Sequence, residues 1–191
     1  MTIDAILMAS GFSTRFGGQN KLLLPVGGVP MARHTLNLAC GIPRFGRVFF
    51  VCAEPAVAAL AEGLPATVLH NDNPAAGQRR SIALGVEASQ ADGYLFFTCD
   101  QPLLDAATVS AILEKAAPGA IVTPTHGGKP GSPVFFAADY RAELLALPPG
   151  GHARDIKKRH PERVVSVAID SPLPLCDADT PDALKYIEDM L

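Results

Sequence analysis

Seven short apolar runs punctuate the chain, at "IDAILMA" (3–9), "RVFFVCA" (47–53), "ATVLHN" (66–71), "GYLFFTC" (93–99), "AIVTPT" (120–125), "SPVFFA" (132–137) and "RVVSVAI" (163–169). Each has the length of a strand, and most are nearly continuous in apolar residues rather than alternating. That is the pattern of strands covered on both faces. Between them lie stretches with helical spacing. "VPMARHTLNLAC" (29–40) has Pro30 near its first turn, where a missing amide hydrogen is tolerated. "QRRSIALGVEAS" (78–89) and "DAATVSAILEKAA" (105–117) follow, the second with Asp105 as an N-cap. "DTPDALKYIEDML" (179–191) closes the chain, with Asp179 or Thr180 as cap and Pro181 just inside. Strands alternating with helices predict an α/β sandwich around a mostly parallel sheet. The turn-rich tract "TPTHGGKPGSP" (123–133) breaks that rhythm and predicts an inserted hairpin or flap. The glycine pair at 27–28 reads as a simple turn.

Composition narrows the picture. Hydrophobic residues make up 48% of the 191, with no internal repeat, low-complexity tract or linker, so one domain spanning 1–191 is expected. A net charge of −3 provides no overall positive field for a long nucleic acid, so an anionic ligand has to be gripped by locally placed cations. No apolar run approaches the ~18 residues of a membrane span. The opening "MTIDAILMAS" lacks the basic region and long apolar core of a signal peptide. Cys40, Cys52, Cys99 and Cys176 form no CxxC pair, which argues against a disulfide framework or zinc site and for the cytoplasm.

In open parallel sheets, ligands bind beyond the carboxyl ends of the strands. The loop after the first run carries Gly11, Arg15, Gly17, Gly18 and Lys21; the loop after the third carries Gly77, Arg79, Arg80 and Ser81; the loop after the fourth begins at Asp100. Glycines let backbone N–H groups approach an anion, and Arg and Lys neutralise it. This is the chemistry of a polyphosphate, with Asp100 left to hold its metal ion. Arg80 reads more readily as a solvated helix residue. His70, His126, His152 and His160 show no ligand spacing and read as surface or packing residues. Neither GxxxxGK[ST] nor GxGxxG is present, which counts against a P-loop NTPase and a nicotinamide dehydrogenase.

"LMASGFSTRFGGQNKLLLPVGGVPM" resembles the signature of the molybdenum cofactor nucleotidyltransferase family, roughly L-A-[AG]-G-x-S-x-R-[FM]-G-x-x-K-x-L-L-P. Ser10 replaces the usual Ala or Gly, and one extra residue falls between Arg15 and Lys21. "NPAAGQRRSIALGV", "FTCDQPLLD" and "CDADTPDAL" match further family segments in the right order, so the resemblance runs from end to end. Within the family the chain looks most like the cytidylyltransferases, with the guanylyltransferases next. The resemblance implies a Rossmann-like three-layer sandwich. It implies that Leu7, Met8, Ala9, Ser10 and Gly11 line the base and ribose, that Arg15 and Lys21 meet the triphosphate, and that Gly77 and Ser81 lie by the nucleotide. It assigns Mg²⁺ to Asp100 and to Asp179 at the end of the last strand, with Asp177 as the rival. Two departures, "GSP" (131–133) and "GGHAR" (150–154), fall on the side expected to hold the second substrate.

The implied reaction is transfer of CMP from CTP to the phosphate of a molybdopterin-type acceptor, with Arg15, Lys21 and Asp100 as catalytic residues. A molybdoenzyme or its chaperone is an implied partner. Ser10, closer in size to Ala than to Gly, should leave less room for a purine and so favours CTP over GTP. The alternatives are GMP transfer from GTP, a sugar- or alcohol-phosphate acceptor, or a nucleotide-binding regulatory module without turnover. Joint retention of Lys21, Asp100 and Asp179 argues against the last, because a mere binder could dispense with the metal pair.

Overall fold

The computed structural model describes residues 1–190 except Phe12, Thr14 and Arg15. Its strands are β1 (Ile3–Ala9), β2 (Pro25–Val26), β3 (Val29–Pro30), β4 (Phe45–Cys52), β5 (Thr67–His70), β6 (Gly93–Thr98), β7 (Ile121–His126), β8 (Lys129–Pro130), β9 (Val134–Ala137) and β10 (Val164–Ala168). Its α-helices are α1 (Met31–Gly41), α2 (Pro55–Ala58), α3 (Gln78–Ala88), α4 (Ala106–Glu114), α5 (Arg141–Leu145), α6 (Ala153–Arg159) and α7 (Pro181–Glu188). One sheet has the order β10-β7-β9-β6-β1-β4-β5, with β8 added to β7. β1 pairs in parallel with β4 and β6, β4 with β5, and β7 with β10. Only β8 and β9 run against their neighbours in this sheet. The mostly parallel α/β sandwich is therefore present, and β8 supplies the predicted hairpin.

Burial explains why the first run is apolar apart from Asp4, whose buried carboxylate accepts from the Arg47 N–H and the Ser89 hydroxyl. Ala5 and Leu7 point to one face and Ile6 to the other, yet all three are fully buried. Both faces must then be covered, and α1 and α3 each pack on β1 and β4. Gly85 lets α3 sit close: a Cβ there would run into the side chain of Ile6 on β1.

Several boundaries differ from the sequence reading. The first predicted helix starts at Met31, because Val29–Pro30 pair with Pro25–Val26 in a small hairpin. Its turn is Gly27-Gly28, with φ of +56° and +80°, a conformation that glycine adopts without steric cost. Asp105 caps α4 by accepting the N–H of Thr108 at 2.7 Å. Thr180, not Asp179, caps α7, accepting from the N–H of Ala183 at 3.2 Å. α2, α5 and α6 escape sequence reading because each is only 4 to 7 residues long and lies beside proline or glycine. Among the described residues, no helix is long and apolar enough to cross a membrane. All four cysteines are free thiols.

Candidate active site

The strand order changes direction beside β1: the chain goes from β1 to β4 and β5, then crosses back to β6 on the other side. Loops leaving β1 and β6 therefore diverge and open a crevice at their carboxyl ends. A cleft of about 500 Å³ occupies this place. Its lining comes from the loop after β1, from the loop after β5 with the first turn of α3, from the end of β6, and from His152 and Asp179.

The loop after β1 is held by its own polar side chains. Ser13 adopts a left-handed backbone with φ of +48°, a costly conformation for a residue with a Cβ. Its Oγ accepts the N–H of Lys21 at 3.0 Å and lies 3.4 Å from Asn20 Oδ1. Asn20 Oδ1 also accepts the N–H of Leu22 at 3.0 Å. Gly17 and Gly18, with φ of +61° and +91°, make the turn between these anchors. The glycines thus bend the loop, and the serine and asparagine fix where its lysine emerges.

Lys21 donates from Nζ to Asp100 Oδ2 and to Asp179 Oδ1, at 2.7 Å in both cases. Its side chain is only 13% exposed, against 19% for Asp100 and 53% for Asp179. Burial alone would lower the Lys21 pKa, but the charges and hydrogen bonds of Asp100 and Asp179 outweigh it and the net shift is upward. Lys21 is therefore a fixed cation at neutral pH. Asp100 begins the loop after β6, while Asp179 comes from a loop between a 3-10 turn at Leu173–Leu175 and α7. The implied position of Asp179 at a strand end is thus corrected. β10 ends at Ala168, and the last segment instead reaches the site through Ala178, whose N–H donates to the Asp100 carbonyl at 2.8 Å. Buried Gln101 adds a second tie through its Nε2 to the carbonyl of Leu175 at 3.3 Å.

Asp177 lies beside this group but does not line the cleft. It keeps a solvent-exposed face. Desolvation by the protein around it, together with the charges of Asp100 and Asp179, pushes its carboxyl up to about 6.

The remaining expected site residues divide. Met8, Ser10, Gly11, Gly77 and Ser81 line the cleft. Leu7 and Ala9 are buried in the core and do not, as the alternation of a strand dictates. Ser10 turns its hydroxyl to the carbonyl of Val51 on β4, at 3.2 Å. Arg15 lies outside the described residues. Arg79 and Arg80 do not reach the lining. Arg80 instead pairs with Asp72, its Nε and a terminal nitrogen at 3.0 Å and 2.9 Å from Asp72 Oδ1. The second glycine loop therefore brings no arginine to the cleft, contrary to the symmetry the sequence suggests.

Sequence reading missed Ser13, Thr98, His152 and Gln78, all on the lining. His152 Nδ1 lies 3.1 Å from Gln78 Oε1, and His152 also opens α6. No spacing marks this meeting, because the two residues come from distant parts of the chain. Asn71 was missed too. It is buried and donates from Nδ2 to Ser81 Oγ at 3.2 Å, which fixes the serine against the cleft wall.

Comparison with known proteins decides the family. Residues 5–164 match the MobA-like NTP transferase domain. The chain belongs to that family. A curated relative, the molybdenum cofactor guanylyltransferase of Cupriavidus pinatubonensis, is 26% identical over 97% of this chain and 96% of its own. A nucleotidyl transferase from Methanothermobacter thermautotroptrophicus superposes with a TM-score of 0.86 at 23% identity, covering 99% of this chain and 97% of its own, and so shares the fold. A Mycobacterium tuberculosis H37Rv protein, Rv0371C, solved as a complex with manganese, is 25% identical with a TM-score of 0.74 over the whole of both chains. Membership in the molybdenum cofactor nucleotidyltransferases makes nucleotidyl transfer the reaction class, and the curated relative named here is a guanylyltransferase rather than a cytidylyltransferase.

The residues also fit a divalent cation. Among the described residues, no three His, Cys, Asp or Glu converge as a metal cluster. Two carboxylates do bracket a single point of positive charge, and Asp100 Oδ1 is buried with no hydrogen-bond partner. A hard cation bound with nucleotide needs only one or two protein carboxylates, with water and phosphate oxygens completing its shell.

Proposed function

We propose that the protein transfers GMP from GTP to the phosphate of a molybdopterin-type acceptor and releases pyrophosphate. The observation that carries this reading is the Lys21–Asp100–Asp179 group at one end of a cleft built on the family's fold. An acceptor phosphate oxygen attacks the α-phosphorus; a new P–O bond forms, the bond to the β-phosphate breaks, and pyrophosphate leaves with its electron pair. The second pKa of a phosphate monoester is about 6, so the nucleophile is already anionic at neutral pH and needs no general base. What the chain must supply is alignment of two anions and compensation of charge on the leaving group. Lys21 serves the second task as a permanent cation. Asp100 and Asp179 would hold a divalent metal, Mg²⁺, which when bound neutralises triphosphate charge. Gly11 and Gly77 line the cleft without a side chain, and Ser81 presents a hydroxyl fixed by Asn71.

CTP is the second reading, and Ser10 supports it. Its Cβ narrows the cleft relative to glycine, although its hydroxyl is spent on Val51 rather than offered to a base. Pyrophosphate release from each of the four NTPs, with and without a purified molybdopterin-type acceptor, tests both. Acceptor-dependent release with GTP supports the first reading, and preference for CTP supports the second. Release from neither would sink the proposed activity.

A further inference from the structure

The ammonium of Lys21 sits where the two carboxylates would present their charge to a metal. It is 2.7 Å from Asp100 Oδ2 and 2.7 Å from Asp179 Oδ1, and the side chain is almost enclosed. A hard divalent cation of the magnesium type requires oxygens at roughly 2.0–2.1 Å. It cannot draw these two oxygens to itself while an ammonium lies between them at hydrogen-bond distance, and the two positive charges would repel. One cation must leave for the other to enter.

The side chain of Lys21 can make that exchange while its backbone stays in place. Its own N–H is held by Ser13, and the next N–H by Asn20. Its four-carbon stem lies along the cleft wall and has rotatable bonds enough to swing the ammonium away. Asp100 gives a second, independent sign that the present arrangement is incomplete. Its Oδ1 is buried without a hydrogen-bond partner while Oδ2 is bound to Lys21. An unsatisfied buried carboxylate oxygen is costly, and a cation is the partner that its chemistry calls for.

We propose that Lys21 holds the cation position in the nucleotide-free protein, so that metal binding without nucleotide is suppressed and metal and nucleotide enter together. The triphosphate draws Lys21 off the carboxylates, and the vacated pair accepts the metal that travels with it. The identity of that anion rests on the proposed nucleotidyl transfer; the competition between lysine and metal does not. Because coupling is reciprocal, metal must tighten nucleotide binding by the factor by which nucleotide tightens metal binding.

The test counts Mn²⁺ bound to metal-free full-length protein, without nucleotide, by the electron paramagnetic resonance of the free ion. If Lys21 covers the site nine-tenths of the time, its removal raises the apparent affinity about tenfold. Lys21→Met should therefore bind Mn²⁺ at least about tenfold more tightly than the parent, and Lys21→Met with Asp100→Asn should lose the gain. Mn²⁺ should also raise the melting temperature of Lys21→Met more than that of the parent. If the methionine variant does not fold, Lys21→Gln, neutral and polar, is scored in its place. Equal or weaker binding in the neutral variant overturns the proposal, as does a gain that survives Asp100→Asn. Absence of pyrophosphate release with every NTP would defeat the proposed function yet leave this competition standing.

Discussion

Two glycine-bearing loops with paired cationic character leave the sheet at the same edge, and only one of them delivers its charge. The loop after β1 carries Lys21 to Asp100 and Asp179. The loop after β5 carries Arg79 and Arg80, and neither lines the cleft. The difference lies in the local backbone. Lys21 follows an irregular loop whose Ser13 and Asn20 fix its exit direction. The arginines sit inside the first turn of α3, where direction is set by helical phase. Gln78 and Ser81 are three residues apart and share the face toward the cleft, so Arg79 and Arg80, rotated by about 100° and 200°, are turned away from it. In a loop the position of a cation is specified by its anchors; in a helix it is specified by counting.

The contrast is sharpest in substitutions of charge. Asp100→Asn and Lys21→Ala should each lower kcat/KM by roughly 10² to 10³-fold, because under the proposed function each removes a charge that would act on the reacting phosphates directly or through the metal. Steady-state rates with a thermal melt to confirm folding check this. Unchanged rates would remove either residue from the site.

The next effect separates Asp179 from Asp177. Asp179→Asn should cost activity nearly as much as Asp100→Asn, whereas Asp177→Asn should cost much less. Asp177 should show itself in the pH dependence of stability. Its carboxyl moves from the ordinary 3.8 to about 6 on folding, so between those values the folded chain keeps a proton that the unfolded chain has lost. Its contribution therefore declines as pH rises from about 4 through 6, and Asp177→Asn should remove that slope from denaturation curves of the metal-free protein. Solvent on its open face keeps the slope shallow. An identical slope in the variant would contradict the assignment.

A milder change is expected at Ser81. Ser81→Ala deletes one neutral hydrogen-bonding group from the wall, so KM for nucleotide should rise by about tenfold at most, with kcat nearly kept. A fall in kcat with KM unchanged would place Ser81 in the chemical step instead. The smallest effect belongs to the second loop's arginine: Arg80→Ala breaks an exposed pair with Asp72 and should shift stability by less than about 0.5 kcal/mol while leaving kcat/KM unchanged.

These cases show what the sequence could carry. β1 was legible to its ends, because a strand buried on both faces is apolar at every position but Asp4. Asp105 and Thr180 were legible as caps because capping is a local event. Asp100 stood out because it closely follows the end of β6, and Lys21 because a lysine in a glycine-bearing loop before an apolar run is a local pattern. Asp179 was named for the right neighbourhood but given the wrong support, since its place depends on a backbone bond from Ala178 to Asp100 that no local pattern announces. His152, Gln78 and Asn71 were invisible because each reaches the site through a partner distant in the chain or through burial. Arg80 is away from the cleft as its solvated reading had it, whereas Arg79 shows that a cation's presence in the sequence says nothing of the face it occupies.

The most direct test is a crystal structure with a non-hydrolysable GTP analogue and Mn²⁺, in which anomalous scattering locates the ion. The account predicts one strong anomalous peak against Asp100 and Asp179, with the Lys21 ammonium moved onto the triphosphate. A peak remote from Asp100, or a triphosphate lying against Arg79 and Arg80 instead of Lys21, would contradict it.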